Sequence, residues 1–189
     1  MSDAWFDQAV MKDRLVAFFE GEKPKVTTFG NTVNQTFEAF VFAALVARYR
    51  KDGWAVKFVH PPGEARRGSK HLALKFSTNG RPGKYSNAVC TKGEETVQIH
   101  HQLRVATRHH RDSAVTQAAL CLDVAVIKKT ELAGYSTRHA VPNDRLITFG
   151  EAKHMAAFAE LIAGFIGMVH EMTPQHVKAR RAASAASFA

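Results

Sequence analysis

The sequence predicts an α/β domain, and three observations carry that expectation. Apolar residues recur at helical spacing over 32–50 and 155–172. Nearly continuous apolar runs at 118–127 and 145–153 read as strands buried on both faces. Between the first helix and those strands, 54–116 alternates in the manner of strands joined by basic, turn-rich loops. One domain over 1–175 is the simplest organisation for a 189-residue chain.

Residues 1–24 form an appended helical segment, with Trp5, Phe6, Val10, Leu15, Phe18 and Phe19 available for packing and Gly21 and Pro24 closing it. Thr32 followed by Gln35 has the spacing of a capping box, after which apolar side chains surround the helix to about Val46. Gly53 ends that helix. "WAVKFVH" is a strand that Pro61 and Pro62 break, and "HLALKFS", "YSNAVC" and "ETVQIHHQLRVA" are expected to follow as strands. "AALCLDVAVI" and "RLITFGEAK" are the two buried strands. The last helix carries a stripe of Phe158, Leu161, Ile162, Phe165, Met168, Val169 and Met172. Its other side offers Ala156, Ala163, Gly164 and Gly167, small enough for close approach of a sheet or a second subunit. The tail, 176–189, is basic and then Ala/Ser-rich, the composition of a flexible segment.

Composition narrows the function classes. Lys and Arg number 26 against 17 Asp and Glu, a net charge of +9 that suits a polyanionic partner such as nucleic acid. Two cysteines, Cys90 and Cys121, are too few for a disulfide framework and point to a reducing, cytoplasmic setting. The start contains Asp3, Asp7 and Asp13 where a signal peptide needs an apolar stretch, and no apolar run reaches the roughly 20 residues of a membrane span. Basic loops supply Arg66, Arg67, Lys70, Arg81 and Lys84, and Arg104, Arg108 and Arg111 continue the series, as candidate contacts to a nucleic-acid backbone. Neither loop has the strand-to-helix setting of a P-loop. His100, His101, His109 and His110 lack the tight pairs of structural zinc and read, among these arginines, as facing phosphate or solvent.

Four residues stand out chemically. Asp123 lies between Leu122 and Val124 in the most apolar strand, where an unpartnered carboxylate costs several kcal/mol, so it requires a partner. Glu151 and Lys153 sit two apart, on one side of an extended chain, with Ala152 turned to the other. If the two buried strands pair, Asp123 and Glu151 meet, and two such carboxylates repel unless a divalent cation lies between them. Glu38 shares a helical stripe with Val41, Phe42 and Leu45, a third acid on an apolar face.

A helix Glu, a strand Asp, a strand Glu-x-Lys and a following helix resemble the PD-(D/E)xK nuclease superfamily, with Leu122 where a proline often precedes the acid. The resemblance implies a restriction-endonuclease-like core, a mixed central β-sheet with the Glu38 helix on one side and the 155–172 helix on the other. It also implies Mg²⁺, with Mn²⁺ substituting, held by Asp123, Glu151, the Ala152 carbonyl and Glu38, and Lys153 acting on water or phosphate. The expected activity is endonucleolytic cleavage of DNA, by a homodimer or as the effector of a bacterial defence or repair assembly. The alternative is a non-catalytic nucleic-acid-binding subunit whose acids pair with basic side chains.

Overall fold

The computed structural model describes residues 6–60, 71–76, 83, 85–108, 118–131, 140–154 and 159–175. Helix α1 spans Gln8–Phe18 and starts where the Asp7 carboxylate accepts hydrogen bonds from Ala9 N and Val10 N, at 2.9 and 3.1 Å. Helix α2, Val33–Lys51, begins at the expected capping box: Gln35 N donates to Thr32 Oγ1, and Thr32 N donates to Gln35 Oε1. Gly53, in the left-handed region at φ 84°, follows its end.

Five strands then form one sheet: β1 Ala55–Val59, β2 Asn87–Lys92, β3 Glu95–Ala106, β4 Ala119–Lys128 and β5 Leu146–Gly150. Their order across the sheet is their order along the chain. All four pairings are antiparallel, so the expected mixed sheet is not what forms. Consecutive strands are neighbours throughout the described sheet, the pattern of antiparallel rather than crossover pairing. The parallel contact found among the described residues is an isolated bridge from Val105 to Val141, on the edge of β3 that β2 leaves open beyond His100. "HLALKFS" was expected as a strand, yet 71–76 joins no strand among the described residues. Its described backbone bonds go elsewhere, from Leu72 N to Glu22 O and from Ser86 N to Ala73 O.

Two apolar clusters lie on opposite faces of the sheet. The larger joins α1 and α2, through Leu15, Phe19, Phe29, Phe42 and Val46, to Phe58, Cys90, Val97, Ile99, Val124 and Val126. The smaller joins Leu103, Val105, Leu122, Ala125, Ile127 and Leu146 to Met172 of the last helix, α3 Ala159–Met172. The helices therefore flank the sheet as expected. Along β3, however, Val97 and Ile99 face the first cluster while Leu103 and Val105, at the same alternation, face the second. Val124 and Leu122 exchange faces in the same way on β4. The switch falls at Gln102, whose φ of +48° breaks the pleat.

Helix α3 is less embedded than its stripe suggested. Met172 is fully buried and Phe165 packs on Phe149 at 5.7 Å, but Ile162 and Ile166 are 51% and 62% exposed. A Cβ added at Gly164 or Gly167 meets nothing within 4 Å, so the small-residue side lies against no other part of the described chain. The tail at 176–189, with Ala156 and Phe158, lies outside the described residues. No described helix is long and apolar enough to cross a membrane.

Candidate active site at the end of the last two strands

Antiparallel pairing of β4 with β5 sets Val124 opposite Gly150, so the residues just beyond, Asp123 and Glu151, come together where the strands part. Ala152 N donates to Asp123 Oδ2 at 2.9 Å, and Asp123 N lies 3.5 Å from Glu151 Oε1. Ala152 is buried, which fixes this short stretch of backbone against the sheet. Lys153, beyond the last strand residue, returns over both acids: Nζ lies 2.9 Å from Asp123 Oδ2 and 3.1 Å from Glu151 Oε2. Asp123 thus has the partners its apolar surroundings require.

Glu38 reaches the same cluster from α2. Its Oε2 accepts a hydrogen bond from Gln102 Nε2 at 2.7 Å and lies 3.8 Å from His101 Nε2. Burial first, and then the charge of Asp123, hold the Glu38 carboxyl above the ordinary carboxylate range, against the opposing hydrogen bond from Gln102. Burial and Asp123 push Glu151 up as well, partly offset by Lys153. Burial disfavours the Lys153 ammonium, but its hydrogen bonds to Asp123 and Glu151 outweigh that cost and raise its pKa. Lys153 is therefore a stable cation between two anions, suited to meeting negative charge and unsuited to accepting a proton.

The four residues singled out in the sequence converge, although they come from three separate parts of the chain. The basic series fares differently. Arg66, Arg67, Lys70, Arg81, Lys84 and Arg111 lie outside the described residues, as do His109 and His110. Arg104 is half-buried on β3, and Arg108 Nη2 lies 3.5 Å from His170 Nδ1 on α3. His100 and His101 do not face phosphate or solvent: both are buried, at 5% and 3% exposure, because this part of β3 is covered on both sides. Burial lowers their pKa values to about 3 and about 4, so both are neutral at pH 7. His154 packs its ring against Phe6 and Phe37, at 5.1 and 5.6 Å.

Several polar residues around the site gave no sequence signal. Lys75 is 2% exposed, with Nζ 3.9 Å from Cys121 Sγ; burial lowers its pKa and raises that of the thiol. Cys90 and Cys121 are both free thiols. Elsewhere Glu22, His60 and Ser86 form a chain, with His60 Nε2 2.7 Å from Glu22 Oε2 and Nδ1 2.9 Å from Ser86 Oγ. The set looks like a hydrolytic triad, but Ser86 is 2% exposed and its Oγ already accepts from Ala73 N at 2.8 Å. It clasps four chain segments and has no room for a substrate.

Beside the acids an open groove of about 630 Å³ runs along α3, with Glu151 and Lys153 at its head and Leu161, Ile162, Phe165 and Met168 in its wall. Among the described residues no three His, Cys, Asp or Glu side chains stand preassembled at metal-ligand spacing. The donors nonetheless suit a hard cation in kind, being carboxylate oxygens crowded enough to disfavour ionisation, together with the buried Gln102 Oε1, which has no described hydrogen-bond partner. No protein-family model, curated protein or solved structure matches the chain.

Proposed function

We propose that the chain is a divalent-metal-dependent endonuclease of the PD-(D/E)xK kind, with a restriction-endonuclease-like core, hydrolysing DNA phosphodiester bonds as a homodimer or within a defence or repair assembly. The observation that carries this reading is the meeting of Asp123, Glu151 and Lys153 where β4 and β5 part, with Lys153 Nζ within 3.1 Å of both acids and Glu38 of α2 near enough to feel the charges of all three. Two acids clasped by one lysine, with a third half-buried acid beside them and Glu151 and Lys153 opening on a groove, are an expensive arrangement to maintain for packing alone. The net charge of +9 adds the electrostatic attraction a phosphate polymer needs.

Asp123, Glu151, the Ala152 carbonyl and Glu38 would hold Mg²⁺, for which Mn²⁺ substitutes. The bound ion supplies a Lewis acid beside the scissile phosphate and lowers the pKa of water. The chain's own residues do the rest. Asp123 is held in place by the Ala152 N–H, so its orientation does not depend on the substrate. Lys153, kept protonated by its neighbours, orients the attacking water and offsets the negative charge that grows on the phosphate oxygens. Glu38, anchored by Gln102, closes the cluster from the helix side.

A second reading is a non-catalytic nucleic-acid-binding subunit, and it is favoured by the way Lys153 already neutralises both strand-end acids. One experiment separates the two: plasmid and single-stranded DNA are incubated with the purified protein, with and without Mn²⁺, and metal-dependent thermal stabilisation is recorded alongside. The nuclease cleaves only with metal, and Asp123→Ala or Lys153→Ala lowers the rate by about 10²-fold or more while the circular dichroism stays native. Undiminished cleavage by the double variant, or neither cleavage nor stabilisation by metal in the wild type, rules the mechanism out.

A further inference from the structure

Gln102 is anomalous in three respects. It lies in the middle of the longest strand, yet its φ is +48°, a conformation that costs a non-glycine residue about 1 kcal/mol or more. The β3–β4 register pairs His101 with Val124 and Leu103 with Leu122 but skips the intervening pair, Gln102 and Asp123. Finally, its side chain donates from Nε2 to Glu38 Oε2 at 2.7 Å, while Oε1 is buried without a hydrogen-bond partner among the described residues. A strand that needed only to pack would gain nothing from a strained residue opposite the buried Asp123 of β4.

We propose that Gln102 is a positioning residue of the acid cluster, whose left-handed backbone opens the ladder at Asp123 so that its amide can fix the Glu38 carboxylate through Nε2 and present Oε1 as a neutral oxygen to a divalent cation. The proposal rests on the cation-dependent reading given above. The chemistry is consistent with it. Hard cations take amide carbonyl oxygens alongside carboxylates, and a neutral donor completes a coordination shell without adding a fourth negative charge to three acids that already repel. Nε2 and Oε1 have different duties, so one side chain both restrains an acid and supplies a donor. The face switch on β3 follows from the same residue, which explains why the ladder breaks at the level of Asp123 and nowhere else along these two strands.

The test is Mn²⁺ binding to the purified protein, read by calorimetry and by the spin-resonance signal of free Mn²⁺, with thermal unfolding measured on the same samples. Gln102→Gly keeps the left-handed backbone at no strain and deletes the amide, and Gln102→Asn keeps an amide on a shorter stem in a residue that also tolerates this conformation. Both are expected to unfold at or above the wild-type temperature in the absence of metal, and to bind Mn²⁺ about 10- to 100-fold more weakly, the usual effect of removing a group that orients a metal ligand. A purely structural role predicts the opposite pattern, with binding unchanged in both variants, and that result overturns the proposal while leaving the cation site itself in place. Asp123→Asn supplies the separate control: if wild type binds Mn²⁺ and this variant does not, the site is the acid cluster. If the wild type binds no Mn²⁺, the nuclease reading fails and the proposal falls with it.

Discussion

His100 shows how a single side chain couples this fold to pH. Its ring is fully enclosed, Nε2 has no described partner, and burial alone pushes its pKa down to about 3. The unfolded chain leaves the same ring free to take up a proton near pH 6.5. Above that pH the ring is neutral in both states and costs nothing; below it the unfolded state gains a proton that the folded state refuses, so stability falls as pH drops toward 3. Each pH unit in that window removes about 1.4 kcal/mol. His100→Leu should flatten this acid limb, and urea titrations at pH 7.5 and pH 5 would show it. Parallel losses in wild type and variant would mean that the ring is accessible to protons in the folded protein.

Among the elements, the start of α2 is the most tightly specified. Gly30 has φ +85° and ψ 170°, a region open essentially to glycine alone, and a Cβ there collides with the Gln35 side chain. Gln35 is the residue whose Oε1 accepts from Asn31 N and Thr32 N to cap the helix. Gly30→Ala should therefore cost about 2 kcal/mol or more, from backbone strain and the loss of the cap together, measurable by chemical denaturation. A cost under about 0.5 kcal/mol, the level of an ordinary surface change, would show that the turn adapts.

Much of this element was readable in advance because Thr32 and Gln35 are neighbours, and local hydrogen bonding is encoded locally. The apolar run of β4 was readable for a similar reason, since a strand covered on both faces leaves few positions for polar side chains, whereas β5, read the same way, is an edge strand of the described sheet and only half-buried beyond Leu146. Asp123 and Glu38 stood out by the cost of burying charge, and Glu151 and Lys153 by sharing one side of an extended chain at a strand end. Gln102 could not be found that way: glutamine has no preference for positive φ, and its hydrogen bond to Glu38 and its place opposite Asp123 exist only once α2 and β4 are beside it. The clasp of Glu22, His60 and Ser86 joins residues far apart in the chain, and nothing in any one of those segments marks it. The excess of basic residues was legible as net charge, and most of the basic residues singled out lie outside those described.

For the whole molecule, the open question is what meets α3. Its groove side is apolar, and Ile162, Phe165 and Ile166 are all more than a third exposed. An apolar face of this kind on a lone chain marks an interaction surface. If the protein works as a homodimer through this helix, Ile166→Glu should leave unfolding within about 0.5 kcal/mol of wild type, since the side chain is exposed, yet convert dimer to monomer in sedimentation experiments. A wild type that sediments as a monomer at high concentration would remove the helix from consideration as a self-association face.

Because the sheet grows strand by strand in the order of synthesis, a nascent chain can lay down its first four strands and both leading helices before residue 146 emerges. Glu38 and Asp123 are then present without Glu151 and Lys153, and the lysine that relieves their repulsion arrives only with the final strand. The acid cluster is thus assembled only when the chain has passed β5, with α3 still to pack on the opposite face of the sheet.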